Sequence, residues 1–116
     1  MADWTQGETP TVEVDLGFDP ATVTILDLAI KQSGGPIIRK TLADSYPSPT
    51  AANTLVFPLT QADTLSLDFR SIARIQAHGL VGSDPTTGAF VTKPILEVTI
   101  EELLDPKVIG AEVVSG

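Results

Sequence analysis

Apolar and polar residues alternate along most of this chain, with the period of two that is typical of half-buried β-strands. The pattern is clearest in residues 54–81, where two alternating segments flank a short stretch with a helix-capping motif. Phe57 in the first segment and Ile75 in the last are predicted core residues on facing strands. Thr60 and Asp63 have the spacing of a capping box, which predicts one helical turn. Such a strand, helical corner and strand are typical of a passage between the two sheets of a β-sandwich.

Turn signals divide the rest of the chain into further short strands. A Ser-Gly-Gly-Pro turn at 33–36 predicts a hairpin, and a parity change near Ile25 predicts a β-bulge or a strand covered on both faces. The last strand is expected to point Leu96, Val98 and Ile100 inward. We therefore predict an antiparallel β-sandwich of six or seven strands, with a small barrel as the alternative. The predicted strands cover residues 11–16, 21–32, 37–42, 54–59, 71–81 and 90–101.

The two ends of the chain differ from the strands between them. Residues 1–9 are polar and include Gly7, so they are predicted to form a flexible N-terminal arm. Residues 10–109 are predicted to form one β-sandwich domain, and residues 110–116 a C-terminal tail. This division places both termini outside the predicted core.

Several large apolar or aromatic residues lie near the termini or in the longest predicted loop. Trp4 is either a packing residue of its own domain or an anchor into a neighbouring subunit. Tyr46 is the one large side chain of the loop at 43–53, where it either tethers the loop or contacts a partner. Apolar segments at a terminus favour packing on a neighbouring molecule. The candidate interaction residues are Trp4, Tyr46, Val108, Ile109, Val113 and Val114.

Composition and charge exclude several classes of site. The 116 residues are 42% hydrophobic and include no cysteine, which indicates one folded domain without disulfides, thiolate zinc sites or cysteine nucleophiles. The net charge is −8 and the seven basic residues are scattered, so nucleic acid is not an expected partner. No signal peptide is expected, and no apolar run approaches a membrane span of about 20 residues. We therefore expect no membrane partner and a protein made and retained in the cytoplasm.

The residues with catalytic potential do not form a recognisable pattern. His78 is the only histidine, and no serine or carboxylate is placed by the sequence to complete a triad with it. The turn at 84–88 lacks the alternating acidic ligands of a calcium loop, and an Asx-type turn accounts for it. Glu101 and Glu102 are explained by the start of a helical turn. The sequence therefore predicts no enzyme activity, no cofactor and no metal.

Three segments of the chain form a combination with a known parallel. They are LTQADTL at 59–65, ARIQAHG at 73–79 and VTKPILEVTIEELLDPKVI at 91–109. Together they resemble a family of small phage and prophage virion-region proteins. The predicted strands at 22–31 and 37–42 are also similar in layout to the immunoglobulin-like N-terminal domains of phage baseplate upper proteins. The resemblance extends over residues 20–109 and implies an immunoglobulin-like sandwich.

This resemblance implies a structural role in a virion. The implied protein is a small accessory or joining subunit of a tail, baseplate or head, located in the virion after synthesis in the host cytoplasm. Its implied partners are other virion proteins and copies of itself. The alternative function is a carbohydrate-binding β-sandwich module, although the aromatic residues that would stack on sugars are only 5% of the chain.

Overall fold

Short strands joined by tight turns make up the computed structural model, which describes residues 2–35, 37–93, 95–105 and 107–110. One helical turn, α1 (Gln61–Leu65), and two 3₁₀ turns, Pro20–Thr22 and Leu42–Asp44, interrupt the strands. The strands are β1 (Ala2–Thr5), β2 (Thr11–Asp15), β3 (Val23–Lys31), β4 (Ile37–Thr41), β5 (Tyr46–Pro47), β6 (Thr54–Pro58), β7 (Ala73–Val81), β8 (Ala89–Val91) and β9 (Leu96–Glu101).

The strands form two sheets of unequal width. The larger sheet has six strands in the order β1-β9-β7-β3-β4, with β8 also paired to β7. The smaller sheet has three strands in the order β2-β6-β5. All pairs are antiparallel except β1 and β9, which run parallel. The prediction of an all-β sandwich with a short helical corner is confirmed.

Inward-facing side chains of both sheets share one core. Phe57 of β6 has no exposed surface and Ile75 of β7 has only 2%, so both predicted core positions are confirmed. The strand at β3 shows the predicted bulge, because its register with β7 shifts between Val23 and Ile25. A side chain at Gly79 would collide with the carbonyl oxygen of Ile25, so glycine is required where the bulge approaches β7. The other buried members are Trp4, Val12, Val14, Val23, Leu26, Leu28, Ile30, Leu55, Leu59, Leu67, Ala73, Ala77, Val98 and Ile100.

The passage between the sheets is a capped helical turn, as the sequence predicts. The Asp63 N–H donates to the Thr60 hydroxyl at 3.1 Å, and the Thr60 N–H donates to the Asp63 carboxylate at 2.9 Å. The hydroxyl of buried Thr64 accepts from the Gly7 N–H at 2.9 Å and donates to the Glu8 carbonyl at 2.7 Å. These bonds attach the N-terminal segment to α1.

A buried glutamine holds the chain between α1 and β7 against the end of β3. Gln32 follows β3 directly, and its side-chain amide donates to the carbonyls of Asp68 and Ser71 at 2.7 and 2.9 Å. Its amide oxygen accepts from the Asp68 N–H at 2.8 Å. Within the described residues, every buried polar side-chain atom has a hydrogen-bond partner.

The N-terminal segment differs from the predicted flexible arm. Ala2–Thr5 forms β1 beside β9, and Trp4 lies in the core with only 7% of its surface exposed. Burial of an indole removes a large apolar area from water, and that gain fixes the strand that carries it. Trp4 is therefore a packing residue of its own domain, and the interpretation as an exposed anchor is corrected.

The predicted strand at 90–101 is divided into β8 and β9. Between them the Thr92 N–H donates to the Ala77 carbonyl at 2.9 Å, and its hydroxyl accepts from the Ala77 N–H at 3.0 Å. The alternation predicts that Leu96, Val98 and Ile100 all face the core. Val98 and Ile100 are buried, but Leu96 is 43% exposed. The reason is that the smaller sheet ends at β2 and does not cover Leu96. With β1 and β5, the described residues form nine strand segments instead of six or seven.

Truncation of the two central core residues is expected to destabilise the fold strongly. Phe57→Ala should lower the free energy of unfolding by about 3–5 kcal/mol and Ile75→Ala by about 2–5 kcal/mol, because each leaves a cavity. Denaturant-induced unfolding measures both values. His78→Gln, an exposed change on β7, is the control and should stay within about 0.5 kcal/mol of wild type. Losses below about 1 kcal/mol in both alanine variants would show that the strand faces are misassigned.

Candidate interaction surface at a free sheet edge

The residues with catalytic potential are dispersed over the surface. His78 is exposed on β7, where its register partners are Asp27 of β3 and Val91 of β8. The Asp84 carboxylate accepts from the hydroxyl and the N–H of Thr86 at 2.7 and 2.9 Å, and these bonds lower the pKa of Asp84. The predicted Asx-type turn is therefore present. Across the described ranges, no group of three or more histidine, aspartate or glutamate residues is placed to hold a metal ion.

Few aromatic side chains are available for stacking on a ligand. Tyr46 is exposed in β5, whose backbone pairs with β6, so this pairing tethers the loop while the ring faces solvent. Phe18 and Phe90 pack edge to face, with 5.1 Å between their ring centroids. Of the six aromatic residues, only Tyr46 and Phe69 are exposed, and the other four are Trp4, Phe18, Phe57 and Phe90. This distribution does not favour the carbohydrate-binding alternative.

The C-terminal segment, residues 102–105 and 107–110, exposes apolar side chains. Leu104 is 91% exposed and Ile109 is 66% exposed, and Val108 is exposed as well. The Ile109 N–H donates to the side-chain oxygen of Gln61 at 2.7 Å, and the Gln61 amide donates to the Ile109 carbonyl at 2.8 Å. The segment is therefore held against α1. The remaining predicted interaction residues, Val113 and Val114, lie outside the described residues.

The outer edge of β2 pairs with no other described strand. β2 is an end strand in the order β2-β6-β5, so only one of its sides is bonded. The Leu16 N–H donates to the Asn53 carbonyl at 2.8 Å. Bonded pairs alternate along an antiparallel ladder, so the even-numbered residues of β2 are the ones whose backbone bonds to β6. The odd-numbered residues direct their N–H and carbonyl groups to the opposite, free side. They are Thr11, Glu13 and Asp15.

An open groove, which we call the β2 groove, runs along this free edge. It has two parts, of about 470 and 220 Å³, and both contact Glu13, Ile75 and Leu96. Buried Ile75 and Val98 belong to its apolar lining, and Ile95 and Leu96 expose apolar surface along it. Apolar side chains thus lie beside a row of unbonded peptide groups.

Acidic side chains dominate the rim of the β2 groove. Glu13 and Asp15 are exposed, and neither forms an ion pair with a described residue. Glu97 lies on the opposite rim, with a carboxylate oxygen 4.0 Å from the Arg74 guanidinium. Lys93 is the one basic residue among the described residues that line the groove. The rim therefore attracts positive charge.

A better shielded ion pair connects the helical corner to the larger sheet. The Lys40 ammonium of β4 lies 2.8 Å from the Asp63 carboxylate of α1, and both side chains are about four-fifths covered, with 18% and 19% exposed. Burial by itself would raise the pKa of Asp63, but hydrogen bonds from Lys40 and from the Thr60 N–H hold the pKa below its usual value. The ionised carboxylate therefore stabilises the fold.

No protein-family model matches this chain, and it matches neither a curated protein nor a solved structure. In the part of the chain that the structure describes, no helix has the length and apolar character to cross a membrane.

Replacement of Asp63 is expected to show a defined pH dependence. Asp63→Asn should lower the free energy of unfolding by about 1 kcal/mol at neutral pH, because the amide carries no charge for Lys40. The folded-state pKa of Asp63 lies below its unfolded value of about 3.9. Its contribution is therefore present above that value and is lost as the pH falls through the folded-state pKa.

Urea unfolding of both proteins from neutral to strongly acidic pH measures this difference. Asp105→Asn removes a well-exposed partner of Lys107 and is the matched control, expected to change stability little at any pH. A gap between wild type and Asp63→Asn that stays constant into strong acid would contradict the stabilising role of the carboxylate.

Proposed function

We propose that this protein is a non-enzymatic structural or accessory subunit of a phage or prophage virion. It acts in the tail, baseplate or head by binding other virion proteins and copies of itself. The resemblance of residues 20–109 to small phage virion-region proteins and to immunoglobulin-like domains of baseplate upper proteins supports the virion setting. Synthesis in the host cytoplasm belongs to the same proposal.

The observation that carries an assembly role is the apolar surface of the C-terminal segment. Leu104 and Ile109 each expose most of their side chain, and Val108 adds to this surface. Covering apolar surface is favourable by about 25 cal/mol per Å², so a neighbouring molecule that packs here gains affinity. The two hydrogen bonds between the Gln61 side chain and the Ile109 backbone hold this part of the segment against α1.

Loss of this apolar surface is expected to weaken assembly without unfolding the domain. In the variant that combines Val108→Ser and Ile109→Ser, we expect about tenfold less chain to cosediment with purified particles. Particles are prepared after infection or prophage induction, and an immunoblot measures the chain in each gradient fraction. Light scattering of the purified proteins measures self-association of the same two chains.

Val91→Ser is the matched control, because Val91 is an exposed apolar residue of β8, away from the C-terminal segment. Thermal melts of all variants show that the domain is folded. Wild-type incorporation of the double variant would contradict the role of the C-terminal segment. A wild-type chain that never cosediments with particles would contradict the virion role itself.

A further inference from the structure

The free edge of β2 has the hydrogen-bonding groups that an additional strand requires. Thr11, Glu13 and Asp15 together direct three N–H and three carbonyl groups away from β6. The five residues of the strand span about 17 Å, which matches a short extended segment of another chain. Strand addition to an exposed sheet edge is a general mode of peptide recognition, in which backbone bonds supply affinity.

The β2 groove determines which side chains such a segment carries on its inner face. An added strand lies about 4.8 Å from its neighbour, and residues directly opposite each other point to the same face of the sheet. The residues of the added strand that lie opposite Val12 and Val14 therefore point toward the larger sheet, into the β2 groove. Apolar side chains at these positions cover Leu96, which is otherwise 43% exposed.

The acidic rim determines the outer face of the segment. Residues opposite Thr11, Glu13 and Asp15 point outward, beside two carboxylates that have no ion pair with a described residue. Lysine or arginine opposite Glu13 and Asp15 pairs with their carboxylates, because opposite charges on directly paired strand residues stabilise each other. Specificity thus comes from an alternating apolar and basic pattern.

A second copy of the chain is a poor occupant of this edge. Antiparallel pairing of two β2 strands about Glu13 places one Glu13 opposite the other, and each chain carries a net charge of −8. Outward charges on an edge strand are a common device against pairing of identical edges. Here the carboxylates of β2 repel a second copy of the same strand and attract a basic segment. The edge thereby discriminates between an identical chain and a different one.

We propose that β2 binds, by strand addition, an extended segment of a different protein in which apolar residues alternate with lysine or arginine. This inference rests on the proposed assembly role and specifies one kind of partner for it. The bound segment becomes the fourth strand of the smaller sheet and covers the β2 groove.

The probe for this proposal is a fluorescent, end-capped heptapeptide of alternating lysine and valine. Its binding to the full chain is measured by fluorescence anisotropy at low and moderate salt. Glu13→Lys and Leu96→Lys are each expected to weaken binding by about tenfold. Glu102→Lys after β9 and Ile37→Lys on β4 make matched changes at exposed residues outside the β2 groove and are expected to bind as wild type does. Added salt should weaken binding, since part of the attraction is electrostatic.

Two N-methylated peptides test the backbone pairing itself. In antiparallel addition, the lysine amides donate to β2, so methylation of the lysine amides abolishes binding and methylation of the valine amides does not. In parallel addition, the valine amides donate, so methylation of the valine amides abolishes binding and methylation of the lysine amides does not. Strand addition therefore requires that one methylated peptide binds and the other does not. Equal behaviour of the two peptides would overturn the proposal.

Four further outcomes discriminate between the inferences. A glutamate and valine peptide that binds as tightly as the lysine peptide would overturn the proposed charge pattern. Wild-type dimers that disappear in Glu13→Lys during sedimentation would show that the edge binds a second copy, which also overturns it. Absence of peptide binding, with the chain still incorporated into particles, overturns this inference alone. Peptide binding by a chain that never enters particles overturns the virion role alone.

Discussion

The unequal width of the two sheets is the constraint on which the rest of this structure depends. A sheet of six strands packs against a sheet of three, so the smaller sheet covers only part of the larger one. Under that cover, Leu28, Phe57 and Ala77 are completely buried. At the edge of the larger sheet, the indole of Trp4 in β1 is buried in the same core. Where the smaller sheet does not reach, Leu96 is left exposed and the β2 groove opens.

Polar bonds hold the passage between the sheets together with the buried side chains of Leu59 and Leu67. Thr64 ties the N-terminal segment to α1, and Gln32 ties the linker after α1 to the end of β3. A buried amide or hydroxyl is costly unless its bonding capacity is used, so these contacts permit few other arrangements. The free edge of β2 thereby keeps a defined position relative to β7 and β9.

The two apolar surfaces of the molecule differ in their electrostatics, and the proposed partners differ accordingly. The C-terminal segment presents aliphatic side chains whose burial is not selective for charge. The β2 groove combines apolar lining, unbonded peptide groups and the carboxylates of Glu13 and Asp15. One surface suits general subunit contact, and the other suits a basic extended segment. Such a division is consistent with the proposed role as a joining subunit, which would bind unlike neighbours.

The sequence by itself determined the faces of most strands and the helical corner, because alternation and capping depend on residues close together in the chain. Phe57, Ile75 and the Thr60–Asp63 capping box were all identified correctly in this way. The tertiary structure decided which strands are neighbours: it placed Trp4 beside β9 and ended the smaller sheet at β2. Leu96 shows the consequence, since its parity is that of a core residue but no described strand covers it. Pairing between distant segments is not contained in a local period, so the free edge and its groove emerge only in the folded chain.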